Sequence, residues 1–98
     1  MSGYYISAAV DLTEGADPEA ARAMLADLVR ATREEPGCIS FDIRQNLEDP
    51  RRFTFWECWT GPEALEQHFN YAHTQAVLAT GMIRVVYIER LGDLVVAA

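Results

Sequence analysis

The sequence predicts an α+β domain with an antiparallel sheet and the ferredoxin-like element order β-α-β-β-α-β. Three observations predict it. Short apolar segments rich in β-branched and aromatic residues occur near both ends of the chain and twice in its middle. Segments with apolar residues at helical spacing separate them. A polar turn at 48–51 joins the two middle strands directly. The 98 residues suit one domain, assigned to 1–98.

The N-terminal part is predicted to contain one strand and one helix. Residues 4–12 form the strand, and the absence of a basic region before them argues against a signal peptide. Asp17 is placed to cap the helix, with Pro18 at its first position. The helix is expected to end by residues 36–37, which are Pro-Gly. Its buried stripe is predicted to comprise Met24, Leu25, Leu28, Val29 and Thr32.

A hairpin of two strands follows. The first spans 38–47, with Ile39, Phe41 and Ile43 expected on one face, and the second spans 52–59. The faces of the second carry Phe53, Phe55, Glu57 and Trp59 on one side and Thr54, Trp56 and Cys58 on the other. Because both faces are largely apolar, both should be covered. Helices can cover one face, so a second copy of the sheet is expected on the other, in a homodimer.

The C-terminal part is predicted to form a second helix and a last strand. The sequence T-x-x-E at 60–63 is typical of a capping box. The helical stripe comprises Ala64, Leu65, Phe69, Ala72 and Ala76. Residues 70–71 are a candidate break into two shorter helices, and Gly81 is expected to end the second one. The last strand is predicted over 84–91, with 95–96 as a candidate extension.

Composition excludes several classes of function. The formal net charge is -7 and the only local basic pair is Arg51-Arg52, so nucleic acid and anionic membrane are not expected partners. No apolar run is long enough to span a membrane. Cys38 and Cys58 form no C-x-x-C pair, and Cys58 is expected opposite Ser40 in the hairpin. Buried free thiols in a reducing cytoplasm are the favoured interpretation.

The two histidines are the first candidates for chemistry. His68 and His73 are five residues apart, about 140° around a continuous helix. They cannot both point into one metal sphere unless the helix breaks between them, and zinc would need further ligands. We therefore predict no metal site. One neutral imidazole suffices as a general base. The alternative is that both are helix-edge residues without a role.

Glu57 is the second candidate, because it shares a strand face with Phe55 and Trp59. A buried carboxylate needs a partner or a raised pKa. Two roles of Glu57 remain open. It takes part in acid–base catalysis, or it makes a structural hydrogen bond or an ion pair with an arginine. The fold would also bring Leu65 and Phe69 of the second helix against this face, and a flat apolar slot with few polar groups suits an aromatic ligand.

These motifs together resemble the antibiotic biosynthesis monooxygenase family. The stretch 35–80 contains E-x-W at 57–59, then A-L-x-x-H at 64–68, then His73. Members of that family are small dimeric α+β barrels, and several oxidise electron-rich phenols with O2 and no cofactor. The resemblance implies a dimeric α+β barrel, a ligand slot between sheet and helices, and no cofactor.

The activity implied by the resemblance is oxidation of a hydroxylated aromatic, a quinol or a polyketide phenol, by O2. An ionised phenol can itself give O2 an electron, so such a protein needs a base, an apolar pocket and a donor for the oxyanion. His68 and His73 are the catalytic candidates, and His68 is favoured. The substrate-binding candidates are Phe55, Glu57, Trp59, Leu65, Phe69 and Tyr71.

Other branches of the family leave alternatives. Haem degraders of this fold use an Asn, a Trp and a His where this chain has Ala8, His68 and Leu78, so haem cleavage by that mechanism is not expected. An isomerase acting on a small signalling metabolite remains open, although basic residues to hold a phosphate are not obvious. A non-catalytic dimeric module that binds a small ligand also remains open.

Overall fold

The computed structural model describes residues 3–95. Its elements are β1 (Tyr4–Leu12), α1 (Pro18–Thr32), β2 (Cys38–Gln45), β3 (Arg52–Trp59), α2 (Pro62–His68), α3 (Ala72–Ala79) and β4 (Ile83–Leu91). The strands form one antiparallel sheet in the order β2-β3-β1-β4. The predicted ferredoxin-like fold is confirmed, with the second helix divided in two. No helix within the described residues is long and apolar enough to cross a membrane.

The core lies between one face of the sheet and the helices. Side chains alternate along a strand, and the register pairs Ile6 of β1 with Glu57 of β3 and Ala8 with Phe55, so these four share a face. Buried residues of all three helices pack against it. The buried apolar cluster comprises Ile6, Ala8, Val10, Leu12, Ala21, Leu25, Leu28, Phe41, Phe53, Phe55, Trp59, Leu65 and Val77.

Helix α1 follows the sequence prediction closely. Asp17 caps it, because its side chain accepts a hydrogen bond from the backbone N–H of Ala20 at 3.0 Å. Pro18 occupies the first turn, where a missing N–H costs nothing. The fully buried residues are Ala21, Leu25, Leu28 and Thr32, while Met24 and Val29 are partly buried against the same core.

The start of α2 differs from the prediction. Gly61 is the N-cap residue and makes no side-chain cap, so the expected capping box of Thr60 and Glu63 is wrong. The backbone N–H of Thr60 instead donates to the carbonyl of Gly37 at 3.0 Å. This contact ties the start of α2 to the turn that precedes β2.

The break between α2 and α3 was expected, but its effect on burial was not. Helix α2 ends at His68 and α3 begins at Ala72. The side chains of α3 therefore do not continue the apolar stripe of α2. Thr74 and Val77 are therefore the buried residues of α3. Ala72 and Ala76 are exposed, so the predicted stripe is wrong at these two positions, and Phe69 is buried only in part, with 42% of its surface exposed.

Strand β2 contains an irregularity that moves one predicted core residue. The register shifts between Cys38 and Ser40, which leaves Ile39 outside the regular alternation and 56% exposed. The prediction that Ile39 shares a face with Phe41 is therefore wrong. Strand β2 also ends at Gln45 rather than at residue 47.

The cysteines lie where the sequence predicts them, and the last strand is shorter than its candidate extension. Ser40 pairs with Cys58 as expected, and both Cys38 and Cys58 are free thiols. Strand β4 ends at Leu91, and Val95 lies beyond it in a bend. The other residue of the candidate extension, residue 96, lies outside the described residues.

The sheet face opposite the helices carries aromatic and charged side chains. Trp56 is 49% exposed there, and its ring lies 6.1 Å from that of Tyr5. Asp11 forms an ion pair with Arg52 at 2.8 Å and with Arg84 at 3.3 Å on the same face. This face is therefore mixed, with aromatic rings in its middle and a charged cluster of Asp11, Arg52 and Arg84 at one end.

Candidate active site

The turn between α1 and β2 places a glutamate beside α2. The backbone N–H of Glu35 donates to the carbonyl of Thr32, and the N–H of Cys38 donates to the carbonyl of Glu35, both at 3.0 Å. A Cβ atom at Gly37 would lie 2.3 Å from the Cβ of Ala64, so only glycine lets the turn approach α2 this closely. The Glu35 side chain consequently reaches the end of α2.

Both histidines converge on this carboxylate. Nδ1 of His68 lies 2.8 Å from Oε2 of Glu35, and Nε2 of His73 lies 2.6 Å from the same atom. The side chains of Glu35 and His68 are 3% and 6% exposed, and that of His73 is 25% exposed. The break between α2 and α3 makes this possible, because a continuous helix would direct the two rings apart.

The contacts of His68 assign its proton. A carboxylate only accepts hydrogen bonds, so Nδ1 of His68 carries the hydrogen that Glu35 receives, and Nε2 keeps its lone pair. Nε2 has no hydrogen-bond partner among residues 3–95. Burial lowers the pKa of His68 below 6.5, opposed by the hydrogen bond and charge of Glu35, and the neighbouring His73 lowers it further. His68 is therefore a neutral imidazole at pH 7.

The donor types of this cluster also occur in metal sites. One oxygen of Glu35 and one nitrogen of each histidine lie within 4.8 Å of one another. However, both nitrogens contact the same oxygen at 2.8 and 2.6 Å, which are distances of charge-assisted N–H···O bonds. The arrangement is a hydrogen-bonded cluster, and the absence of a metal stays a prediction.

A cavity of about 110 Å³ lies between the sheet and the helices. Its apolar lining residues include Ile6, Ala8, Val10, Leu28, Phe55, Leu65, Phe69, Val77, Leu78, Ile83, Val85 and Ile88. Its polar lining residues are Glu57, His68, Thr74 and Arg90. An apolar cavity of ~150 Å³ holds a benzene ring. This cavity is smaller, so a phenolic ring would extend beyond it over β4, where Val85 and Ile88 are 50% and 45% exposed.

Five predicted site residues line this cavity, and three do not. Those in the lining are Phe55, Glu57, Leu65, His68 and Phe69. Trp59, expected in the wall, is fully buried outside the lining because its ring packs 5.0 Å from that of His68. His73 and Tyr71 also lie outside the lining. Ala8 and Leu78, which with His68 take the positions used by haem degraders, do line it.

Glu57 has an indole partner rather than an arginine. Its Oε1 accepts a hydrogen bond from Nε1 of Trp59 at 2.8 Å. Burial raises the pKa of Glu57 to about 7, the bond from Trp59 lowers it, and the charge of Glu35 raises it. The sequence left open a structural hydrogen bond or an ion pair with an arginine, and the structure has the hydrogen bond. A proton-exchanging role stays open, because this carboxyl titrates near neutral pH and faces the cavity.

His73 faces a second depression, a groove between α1 and α3. The groove is lined by Met24, Asp27, Leu28, Ala31, His73, Ala76, Val77 and Thr80. The ring of Tyr71 stacks on that of His73, with centroids 5.3 Å apart and planes 20° apart. His68 therefore contacts the Glu35 carboxylate from the side of the cavity, and His73 contacts it from the side of the groove.

Glu35 is the site residue that the sequence did not predict. It lies 33 positions before His68 and 38 before His73, in a turn where a solvent-exposed glutamate would be ordinary. Its position before Pro36-Gly37 gives the only hint, since that turn must pass close to another element.

Comparison with known proteins identifies the family. The sequence profile described as "Antibiotic biosynthesis monooxygenase" matches residues 3–80. The chain belongs to this family. The uncharacterised protein YjcS of Bacillus subtilis (strain 168) is 30% identical to this chain over 74 residues, which are 76% of this chain and 70% of YjcS.

Solved structures support the family fold. A structure of protein YJCS has a TM-score of 0.86 and 26% identity, covering 91% of this chain and 96% of that one. The structure of PA3566 from Pseudomonas aeruginosa also has a TM-score of 0.86, with 28% identity and 97% of both chains covered. The predicted membership in the antibiotic biosynthesis monooxygenase family and its α+β fold are thus confirmed.

Proposed function

We propose that the protein is a cofactor-independent monooxygenase that oxidises a hydroxylated aromatic, such as a quinol or a polyketide phenol, with O2. The observation that carries the proposal is the buried Glu35–His68 pair beside an apolar cavity. Glu35 fixes the tautomer that leaves Nε2 of His68 free to accept a proton. Geometry of this kind, a base oriented by a carboxylate, is the usual arrangement for general base catalysis.

The reaction begins with transfer of the substrate hydroxyl proton to Nε2 of His68. The resulting phenolate gives one electron to O2, and the phenoxyl radical and superoxide combine to form a ring C–O bond. The imidazolium of His68 returns a proton to the peroxide. Loss of the ring C–H proton with cleavage of the O–O bond releases water and leaves a quinone. One oxygen atom of O2 enters the product and the other enters water.

The remaining site residues are proposed to hold the ring and exclude water. Phe55, Leu65 and Phe69 supply apolar contacts to the ring, and Glu57 faces the same cavity as a second group able to exchange a proton. Trp59 acts through its bond to Glu57. The apolar lining also explains why a phosphorylated metabolite is the less favoured ligand, because Arg90 is the one basic lining residue in the described part of the chain.

We also propose that the protein works as a homodimer in the cytoplasm. The face of the sheet opposite the helices leaves Trp56 and Tyr87 49% and 39% exposed, and a second sheet would cover them. Free thiols at Cys38 and Cys58 suit a reducing compartment.

The proposal is tested by oxygen uptake with a panel of quinols, naphthols and anthrones, and by ¹⁸O2 labelling of the product. The wild type should consume O2 and incorporate one labelled atom. His68→Ala should lower the rate by ~10²–10⁴-fold, the range for loss of a general base. Gln67→Ala, at the exposed neighbouring position, should not. Tight aromatic binding without O2 uptake would favour the binding-module alternative, and full activity of His68→Ala would reject the base.

A further inference from the structure

We propose that Glu35 and His73 form a proton relay between the cavity and solvent. The two histidines share one positive charge around Glu35, and His73 exchanges a proton in the groove when His68 exchanges one with a ligand in the cavity. The inference rests on the proposed function, because the proton concerned is the one that His68 takes from the substrate.

The first support is the way in which the Glu35 charge is compensated. Oε2 of Glu35 contacts His68 and His73, while Oε1 is buried without a hydrogen-bond partner among residues 3–95. Within the same residues, no arginine forms an ion pair with this carboxylate. A buried carboxylate without a cation is costly, so an imidazolium beside it is strongly favoured. Two imidazolium rings around one carboxylate would repel each other.

The second support is the unequal exposure of the two rings. The His68 side chain is 6% exposed and borders the cavity, whereas the His73 side chain is 25% exposed and borders the groove between α1 and α3. Desolvation disfavours charge on the more buried ring. His73 therefore carries the shared charge at rest, which leaves His68 neutral and able to act as the base.

The relay moves protons only. When the substrate hydroxyl transfers its proton to Nε2 of His68, this ring becomes the imidazolium beside Glu35. His73 then loses the proton on its Nδ1 to water in the groove and stays hydrogen-bonded to Glu35 through its Nε2–H. The cluster keeps the same total charge throughout. The reverse exchange restores a proton for the peroxide, so the net reaction remains balanced.

Other titratable groups face this cluster and must be controlled. Glu57 and Arg90 line the cavity, Asp27 lines the groove, Tyr71 stacks on His73, and the Cys38 thiol on β2 interacts with the charge of Glu35. Glu57 is the one whose pKa, about 7, falls in the range of the measurement. The experiments are therefore made in the Glu57→Gln background as well as in the wild type.

The first test needs no substrate. The pKa of His68 is measured from its ¹⁵N chemical shifts in the wild type, His73→Gln and Glu35→Gln. His73→Gln should raise the pKa of His68, because a repelling charge is lost, and Glu35→Gln should lower it, because an attracting charge is lost. A His68 pKa unchanged by His73→Gln would overturn the shared charge, and so would a rise in Glu35→Gln.

The second test uses a substrate found by the oxygen-uptake panel. His73→Gln should lower kcat by about tenfold in dilute non-imidazole buffer, less than loss of the base itself. Added imidazole should restore the rate of His73→Gln in proportion to its concentration. It should not change the rate of the exposed control Gln67→Ala. A His73→Gln rate that does not respond to imidazole would overturn the relay. If no phenol is oxidised, the proposed function fails, and the His68 titration still decides the charge sharing.

Discussion

Nδ1 of His68 lies 2.8 Å from Oε2 of Glu35, although 33 residues separate them along the chain. The contact depends on a turn that passes close to α2 and on a helix that ends at His68. It holds an imidazole at the edge of an apolar cavity in a defined tautomer. The contact follows from the packing of the turn on α2, and the proposed chemistry depends on it.

Replacing Glu35 with glutamine tests whether this contact orients the base. The amide can donate to Nδ1 of His68 and favour the tautomer with its hydrogen on Nε2, so kcat should fall by ~10²–10⁴-fold. In the wild type the rate should fall with decreasing pH at a pKa below 6.5, because protonation removes the base. This acidic limb should move to still lower pH in Glu35→Gln.

The matched control is Glu34→Gln, one position earlier in the same turn, where the side chain is exposed. Its pH–rate profile should match that of the wild type. Equal losses in the two variants would mean that the effect comes from net charge, and the orienting role of Glu35 would be wrong.

Glu57→Gln should change how stability depends on pH. The folded state raises the pKa of Glu57 from 4.5 to about 7, so it favours the protonated carboxyl. Its contribution to stability is complete below pH ~4.5 and is lost as the pH rises through ~7. The wild type should therefore lose roughly 3 kcal/mol of unfolding free energy relative to Glu57→Gln between pH 4.5 and 8.

The measurement is urea unfolding of both proteins across that range, because the difference between them cancels the other titrating groups. Parallel curves for the two proteins would contradict the raised pKa of Glu57.

Trp56→Asp should dissociate the proposed dimer. Trp56 is half exposed in the middle of the open sheet face, and burying an unpaired carboxylate between two sheets is costly. Leu47→Asp is the control, since Leu47 is fully exposed in the turn after β2 and away from that face. Light scattering at micromolar concentration should give a dimer for the wild type and the control. A dimeric Trp56→Asp would place the interface elsewhere.

The sequence predicted most of the fold because local chemistry determines it. The alternation in β1 and β3, the Asp17 cap of α1 and Gly81 after α3, where φ is +66°, all have local causes. The predictions of burial were wrong where an irregularity in a strand or helix changed which side chains face the core. The shift after Cys38 exposed Ile39, and the helix break exposed Ala76.

The candidate site was predicted only in part. Residues on a predictable face, such as Phe55 and Leu65, could be placed in a common cavity from periodicity alone. Glu35 could not, because its role depends on how closely a turn approaches another helix. The convergence of His68 and His73 likewise depended on a break whose geometry no local pattern specifies.

The most direct test of the account is a crystal structure of the protein with an oxidisable phenol or quinol bound under strict exclusion of O2. The aromatic ring should lie between Phe55 and Leu65, with a hydroxyl oxygen about 2.6–3.2 Å from Nε2 of His68. Nδ1 of His68 should remain bonded to Glu35. A phenol that binds outside this cavity, or with its hydroxyl directed away from His68, would contradict it.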